Sequence, residues 1–445
     1  MVLAGYFKTQ NFKNTRPYLN DMNTVLSIIL WLTYLLSLYF SIFWFIVFLD
    51  QRTNFKNQDK KKAKLKKCPF VSVLIPAFNE EEVIKETIKS VLDLDYPKDK
   101  LEIIVINDGS TDNTKQEVEG LIDKYKDRNI ILINQENQGK AASLNNALKI
   151  ARGEFFSCLD ADSFVDKDTL KKMLALYESN DSDLTIVTPA LKVAKPYSLI
   201  QKFQRLEYIV AMFVARLMSY LDCIYVAPGP FSLYRTEIIR KLGGFDAGNL
   251  TEDQEIAYRV QKHHYKIKQC HDAYVHTIAP RNIQELYRQR NRWYKGSLIN
   301  IVKYRKLMWN RRYGDFGIMQ MSINLLVFLL CSTALFFLAY FLVWPFFKNI
   351  YNLYLIGFDI IPYLRDIMDF DLSILSMNIP IIMIISFLFI ISIMIFYLAH
   401  RNANERIRKY GILYLIPYYL VYYLILSFMA VVIIVQVAIG KKQKW

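Results

Sequence analysis

Two kinds of hydrophobic pattern alternate along this chain of 445 residues. Apolar residues without a single charge fill four long stretches, Val25–Leu49, Ile318–Phe347, Asn378–Ala399 and Gly411–Gly440. Each stretch is long enough to cross the hydrocarbon core of a bilayer, which takes about 20 apolar residues in a helix. The pattern therefore predicts four membrane-spanning helices, one before and three after a long polar region.

The polar region alternates short β-branched runs with helical patterns. It predicts strands at Val71–Ile75, Glu102–Ile106, Ile130–Asn134, Glu154–Leu159 and Leu184–Thr188, and helices that include Glu81–Leu92, Asn113–Lys126 and Lys140–Ala151. Alternation of this kind implies a mainly parallel sheet with helices on both faces, an α/β, Rossmann-like fold. We expect a tail, span and basic linker over 1–67, a cytosolic domain over 68–310, and the other spans over 311–445.

Basic residues at the ends of the spans predict the orientation in the membrane. Gln51–Lys67 carries eight Lys and Arg residues against one Asp, which is typical of a cytoplasmic flank. The acidic loop Lys348–Ser376 is then external and the basic loop His400–Tyr410 internal. Strict alternation leaves the basic C-terminus outside, against the same rule. The charges predict an integral protein of the plasma membrane with its polar domain in the cytoplasm.

The net charge of +15 raises the question of nucleic-acid binding. Much of the excess flanks the spans, where it suits anionic lipid headgroups, and no nucleic-acid-binding signature accompanies it. Membrane lipids rather than nucleic acid are therefore the predicted partners. The five cysteines form no CxxC pair, and the His and Cys residues between His263 and His276 match no zinc-finger spacing.

Acidic residues follow three of the predicted strands. Glu80 comes after the first strand, Asp108 after the second, and Asp160 and Asp162 after the fourth. One such residue is more often a turn former or a helix cap. The carboxyl ends of parallel strands share one edge of a sheet, however, and ligands bind there. Three strand ends that converge predict a ligand site.

Two carboxylates separated by one small residue, Asp160 and Asp162, suit a hard cation. Mg²⁺ or Mn²⁺ prefers oxygen ligands and commonly joins one or two carboxylates to substrate phosphates. Lys140 opens a predicted helix, where an ammonium and free backbone N–H groups could face a phosphate. An ordinary surface lysine is the alternative for Lys140, and a chance match is the alternative for the paired aspartates.

The segment Thr251–Gln254 has the form of a capping box, with Thr251 as the N-cap and Gln254 at the third helical position. That interpretation does not explain Asp253. A carboxylate in the first turn is kept ionised by the helix dipole, as a general base requires.

The segment QRNRW contributes Gln289, Arg292 and Trp293 just before the second span. Arginine forks suit diphosphate oxygens, and an indole ring can stack on a sugar. An interfacial amphipathic helix is the alternative.

Taken in order, the motifs resemble those of membrane-integrated family 2 glycosyltransferases with a GT-A fold, the group of cellulose, hyaluronan, chitin and poly-N-acetylglucosamine synthases. The resemblance covers about Cys68 to Ile301. It is carried by IPAFNEE, INDGS, QGKAASLNNAL, LDADS, APGPFSLYR, LGGFD, TED and QRNRW.

The resemblance implies a role for each matching residue. Asp253 would deprotonate the acceptor hydroxyl in an inverting attack, and Asp160 and Asp162 would hold Mg²⁺ or Mn²⁺ and the diphosphate. The other implied substrate contacts are Pro76, Phe78, Glu80 and Asp108 at the nucleoside, Lys140 at the nucleotide, Glu252 beside the base, Gly229 and Pro230 at the acceptor, and Gln289, Arg292 and Trp293 at the diphosphate and acceptor end.

The function that this implies is transfer from a UDP-sugar to a growing polysaccharide, with export coupled to extension. A single transfer to a lipid carrier or glycolipid is the alternative, because the membrane part is smaller than in the larger synthases. Ile278 also stands where relatives often carry an acidic residue. A non-catalytic scaffold or transporter would not need three aligned carboxylate sites, and a homo-oligomer is left open.

Overall fold

The computed structural model describes residues 24–60, 65–180, 182–355, 357–361, 379–409 and 413–440. These residues fall into two compact units. One consists of the described residues within 1–43 and 328–393, and the other of those within 44–327 and 394–445. The C-terminal lysines, much of the predicted external loop and the N-terminal tail lie outside the described residues.

An eight-stranded sheet lies within the second unit, in the order β3-β2-β1-β4-β7-β6-β8-β5. Its strands are β1 (Val71–Ala77), β2 (Leu101–Asp108), β3 (Asn129–Gln135), β4 (Phe155–Cys158), β5 (Ser163–Val165), β6 (Leu184–Val193), β7 (Ser232–Arg235) and β8 (Lys266–Thr277).

The helices, numbered along the chain, are α1 (Thr24–Lys60), α2 (Ile84–Leu92), α3 (Thr114–Lys124), α4 (Lys140–Ile150), α5 (Thr169–Glu178), α6 (Leu199–Tyr220), α7 (Thr236–Lys241), α8 (Glu252–Lys262), α9 (Ile283–Lys303), α10 (Met321–Leu338), α11 (Trp344–Leu355), α12 (Ile379–Asn402), α13 (Leu415–Pro417) and α14 (Tyr423–Ala438).

The five predicted strands are found as β1 to β4 and β6, while β5, β7 and β8 were not predicted. The pairings β1 with β2, β1 with β4, β2 with β3, and β6 with β8 are parallel. The pairings β4 with β7, β5 with β8, and β6 with β7 are antiparallel. The sheet therefore contains both parallel and antiparallel pairings and is mixed. Every antiparallel pairing involves β5 or β7. Those two strands are too short, at three and four residues, to show a period in the sequence.

Alternation along the central strands produces two hydrophobic cores, one on each face of the sheet. Val73 of β1 packs in the same cluster as Ile88 of α2. Leu74, the next residue, packs in the other cluster with Leu144 of α4. Because successive side chains of a strand point to opposite faces, this arrangement confirms helices on both sides of the sheet.

Within the described residues, four helical segments are long and apolar enough to cross a membrane, in agreement with the four predicted spans. They cover Thr24–Phe55, Phe316–Leu355, Ile379–Asn402 and Leu415–Ala438. The fourth span contains a π-helical turn at Tyr418–Tyr422, directly after Pro417.

Helix α6 contacts the ends of several spans within the second unit. The Arg216 guanidinium lies 3.9 Å from the centre of the Phe55 ring, at the end of the first span, and also contacts Asn402 at the end of the third. Arg205 of the same helix pairs with Glu405, in the loop between the third and fourth spans, at 2.5 Å. The ends of the first and third spans therefore both contact α6.

We expect Gly153→Ala to lower the unfolding temperature of the full chain in detergent. A Cβ at this buried position would lie 2.3 Å from the Phe155 carbonyl oxygen and 2.7 Å from the Ser72 nitrogen. Overpacking of this kind costs about 1–3 kcal/mol. Gly120→Ala is the matched control, because it lies in α3 with nothing within 4 Å. Equal unfolding temperatures for the two variants would contradict the prediction.

Candidate active site

The ends of β1 and β4 bring three carboxylates close together. Burial and then the charges of Asp162, Asp160 and Asp112 together raise the pKa of Glu80 to about 7. Neighbouring charges shift the pKa of a carboxyl group this strongly only at short range. Glu80, Asp160 and Asp162 therefore share one acidic crevice, as their positions after the strands led us to expect.

Asp162 is a half-buried member of this acidic group. Burial and then the charge of Asp160 raise the pKa of its carboxyl to about 6, although the Ser163 hydroxyl donates a hydrogen bond to it at 3.0 Å. Two carboxylates that repel each other favour a cation between them. Among the described residues, no group of three or more His, Cys, Asp or Glu side chains could hold a metal. A cation on Asp160 and Asp162 would therefore need oxygens from its ligand, as Mg²⁺ sites on phosphates commonly do.

Lys140, the first residue of α4, joins two of the acidic elements. Its Nζ lies 2.5 Å from Asp160 Oδ1 and 3.0 Å from Glu252 Oε1. Burial alone would lower the pKa of Lys140, but these two carboxylates raise it above its ordinary value. The lysine is therefore charged and ties the end of β4 to the start of α8.

Asp108 supports the segment that leads into Lys140. Its Oδ1 accepts a backbone hydrogen bond from Gln138 at 2.9 Å, and its Oδ2 accepts one from Gly139 at 2.9 Å. The Gln135 amide also donates to Oδ1, at 2.7 Å. Gly139 has a φ of 86°, a conformation that favours glycine. This aspartate therefore fixes where α4 begins and so where the Lys140 ammonium lies.

A tight turn around Gly229 closes one side of the crevice. A Cβ on Gly229 would lie 2.5 Å from Lys140 Nζ and 2.7 Å from Asp160 Oδ2. The turn is held to the end of β4 by a hydrogen bond of 2.6 Å from the Phe231 backbone N–H to the Cys158 carbonyl. Pro230 lies between Gly229 and Phe231 in the chain. Backbone can approach the ion pair this closely because position 229 has no side chain.

Asp253 occupies the first turn of α8, next to Glu252. Burial and then the Glu252 charge raise the pKa of its carboxyl to about 6, while the cations of Lys140 and Arg292 act in the opposite direction. Its backbone carbonyl accepts a hydrogen bond from Ala227 at 3.1 Å, so the turn that contains Gly229 also adjoins Asp253.

The capping box predicted at Thr251–Gln254 is wrong. Thr251 is the N-cap of α8, but its side chain makes no capping hydrogen bond. Its hydroxyl instead accepts one from the Asn300 amide at 3.0 Å, and the same amide donates to Gln254 at 3.2 Å. Gly296 permits the contact, since a Cβ there would lie 2.3 Å from the Thr251 hydroxyl oxygen. The start of α8 thus packs on α9 rather than capping itself.

This packing brings α9 over the crevice. The charge of Arg292 acts on both Asp253 and Lys140. Gln289 hydrogen-bonds the Tyr208 hydroxyl, whose pKa also responds to Asp162. The predicted QRNRW segment therefore contributes two residues beside the acidic cluster.

The other face of α9 contacts the fourth span. The Gln436 amide donates to the Tyr287 hydroxyl at 2.9 Å. One helix therefore meets both the acidic crevice and a candidate span.

Two predicted residues are less closely integrated. Pro76 lies within β1 opposite Ile106, and the Phe78 side chain is 47% exposed just beyond that strand. The described contacts do not join either of them to Lys140. Sequence reasoning missed Tyr208, whose pKa is raised to about 12, first by burial. It lies in an amphipathic helix with no motif, so the sequence carried no signal for it.

Comparison with known proteins matches residues 72–243 to the family described as Glycosyl transferase family 2. A poly-beta-1,6-N-acetyl-D-glucosamine synthase of Staphylococcus epidermidis is 31% identical over 265 residues, which cover 58% of this chain and 63% of that protein. A synthase of the same name from Staphylococcus aureus is 30% identical with the same coverage. The chain thus spans 63% of the length of these curated relatives.

A solved mannosyltransferase from Pyrobaculum calidifontis, in complex with GDP-Man and Mn²⁺, is 24% identical with a TM-score of 0.47. The similarity covers 62% of this chain and 76% of that chain. A score below 0.5 is too low to carry a ligand over to this protein.

We expect Gly229→Ala to weaken the binding of UDP in the presence of Mn²⁺ by roughly tenfold, because the added methyl group would displace the Lys140–Asp160 pair at a cost of about 1–3 kcal/mol. Calorimetry on the full chain measures it. Gly248→Ala is the control, since its Cβ would have its nearest contact at 3.4 Å, to Asp246 Oδ1. Unchanged UDP affinity in Gly229→Ala would contradict the prediction that UDP binds at this ion pair.

Proposed function

We propose, from the family 2 glycosyl transferase domain that this chain carries at residues 72–243, that the protein is an inverting, metal-dependent glycosyltransferase. The donor is a UDP-sugar, and the acceptor is a growing polysaccharide. Transfer takes place at the cytoplasmic face of the plasma membrane, and export of the polysaccharide is coupled to its extension. The match over residues 72–243 supports the resemblance to this family that the motifs led us to expect.

One observation carries the proposal: Lys140 contacts Asp160 and Glu252 at once, with Asp253 and Arg292 beside them. This arrangement puts cations and carboxylates for a diphosphate next to a carboxylate that can act as a base. The two staphylococcal relatives are named for poly-N-acetylglucosamine, so UDP-N-acetylglucosamine is the first donor to test.

On the donor side, the ammonium of Lys140 and the guanidinium of Arg292 would pair with the oxygens of the diphosphate. Asp160 and Asp162 would hold Mg²⁺ or Mn²⁺, which neutralises the charge that develops on the departing diphosphate. Both carboxylates fit this role because they lie close together: after burial, the charge of Asp160 is the next cause that raises the pKa of Asp162. Glu80 and Asp108 lie at the neighbouring strand ends, where the nucleoside would extend.

On the acceptor side, Asp253 would take the proton of the attacking hydroxyl. Its pKa of about 6 leaves it ionised at neutral pH yet basic enough to accept a proton. Attack from the side opposite the diphosphate inverts the anomeric carbon. Gly229, Pro230, Gln289 and Trp293 would line the path of the acceptor.

A second candidate, a single transfer to a lipid-linked acceptor, is favoured by the contact of α9 with the fourth span. The Gln436 to Tyr287 hydrogen bond sets the helix of the predicted acceptor residues against an apolar span. A lipid-borne hydroxyl would reach Asp253 from the same direction as a polymer end.

The two candidates differ in the size of the product. The purified full chain is incubated with radiolabelled UDP- and GDP-sugars, with Mn²⁺ or Mg²⁺, and the product is sized. We expect polymer from a UDP-sugar, loss of the reaction with a chelator and recovery on adding the metal. A product of one sugar on lipid would establish the second candidate instead, and activity that survives chelation would remove the metal from the mechanism.

We expect Asp253→Asn to reduce transfer by about 10²–10⁴-fold, the usual cost of losing a general base, while UDP affinity stays near that of the wild type. The base acts on the acceptor, so donor binding does not need it. In the wild type, kcat/KM should fall as the pH drops through about 6, where Asp253 becomes protonated.

The matched control is Asp246→Asn, a carboxylate in the preceding loop that pairs with Lys303 at 2.7 Å. It should retain transfer. Turnover by Asp253→Asn at the rate of this control would exclude Asp253 as the base.

A further inference from the structure

Arg290 lies inside the QRNRW segment, but its side chain does not point toward Lys140 and Arg292, the two cations that would bind the diphosphate. Its guanidinium is almost fully buried, and its Nη2 lies 2.7 Å from Glu207 Oε2 on α6. The other side of the guanidinium covers the Trp293 ring at 4.6 Å from its centre. A cation over an indole face is attracted by the ring, more strongly when both are removed from water. Arg290 therefore holds the ring of Trp293 in one place.

The same oxygen of Glu207 has a second partner. The Tyr422 hydroxyl, in the fourth span, donates to Glu207 Oε2 at 2.6 Å. Tyr422 is fully buried and lies in the π-helical turn Tyr418–Tyr422. Single π-helical turns inside helices are rare and occur frequently at functional sites. One carboxylate oxygen thus joins α6, α9 and the fourth span.

Removal of either partner would disturb Arg290. Without the Glu207 charge, the guanidinium would remain buried and unpaired, which favours a move toward water. Without the Tyr422 hydroxyl, the carboxylate would lose a hydrogen bond that also fixes its orientation. In both cases the cation over Trp293 loses its fixed position.

We propose that Glu207 and Tyr422 are positioning residues for the acceptor: through Arg290 they set the orientation of Trp293 and link the acceptor end of the site to the fourth span. This rests on the proposed function in one respect, since it takes Trp293 to contact the acceptor. It assigns no contact with the sugar to Glu207 or Tyr422 themselves.

The test compares Glu207→Gln and Tyr422→Phe with the wild type in the full chain, reconstituted in lipid. Three quantities are measured: the acceptor KM, the length of the product, and the release of UDP without acceptor. We expect the acceptor KM to rise by about three- to tenfold and the product to shorten, on the scale of a lost cation–π contact. Donor hydrolysis to UDP should stay within about twofold, because Lys140 and Asp160 are untouched.

Two control variants separate positioning from general loss of stability. Tyr418→Phe removes a hydroxyl from the same π-helical turn, but one that lies 2.8 Å from the Tyr423 hydroxyl. Glu405→Gln removes another carboxylate that pairs with an arginine of α6, Arg205. Both should leave the acceptor KM and product length unchanged.

A normal acceptor KM and product length in Glu207→Gln and Tyr422→Phe would overturn the inference, as would equal defects in the two controls. If Glu207→Gln does not fold, Tyr422→Phe decides by the same quantities. If the wild type transfers only one sugar, the polymer proposal fails, whereas a raised acceptor KM in the two variants would still support the positioning role.

Discussion

The arrangement of the site depends on one ion bridge, the Lys140 ammonium between Asp160 and Glu252. Four carboxylates gather around it, those of Asp160, Asp162, Glu252 and Asp253, and burial raises the pKa of Asp162 and of Asp253. A fixed cation permits them to stay close. It also joins α4, the end of β4 and the start of α8, which are distant in sequence. Small changes in the position of Lys140 would therefore move both the donor side and the base.

The surroundings of Lys140 are consistent with that dependence. Asp108 fixes the backbone just before it, and Gly229 leaves space that a methyl group would fill. The Asn300 amide pulls the N-terminus of α8 onto α9, which brings the Arg292 charge next to Asp253. Each contact uses a residue whose type is dictated by space or by hydrogen bonding, and together they place a base beside two cations.

The sequence predicted which acidic residues after strands would lie close together, because a strand end fixes both a position and a direction. Glu80, Asp160 and Asp162 were found in this way. The short strands β5 and β7 and the residue Tyr208 were not, since three or four residues show no period and an ordinary helix offers no motif. The capping box failed for a related reason. A local pattern cannot reveal that the Asn300 amide, 49 residues away, donates a hydrogen bond to the Thr251 hydroxyl.

Helix α6 shows why the catalytic and membrane parts of this chain should be considered together. Neighbouring residues of this helix serve different partners, since Tyr208 meets Gln289 beside the acidic crevice and Glu207 meets Tyr422 of the fourth span. Arg205 of the same helix pairs with Glu405 in the loop before that span. The proposed coupling of extension to export would need the extending site and the passage to share a rigid boundary. In this protein α6 has the contacts of such a boundary, and the buried charges on it are the interactions that a shift of the fourth span would have to break.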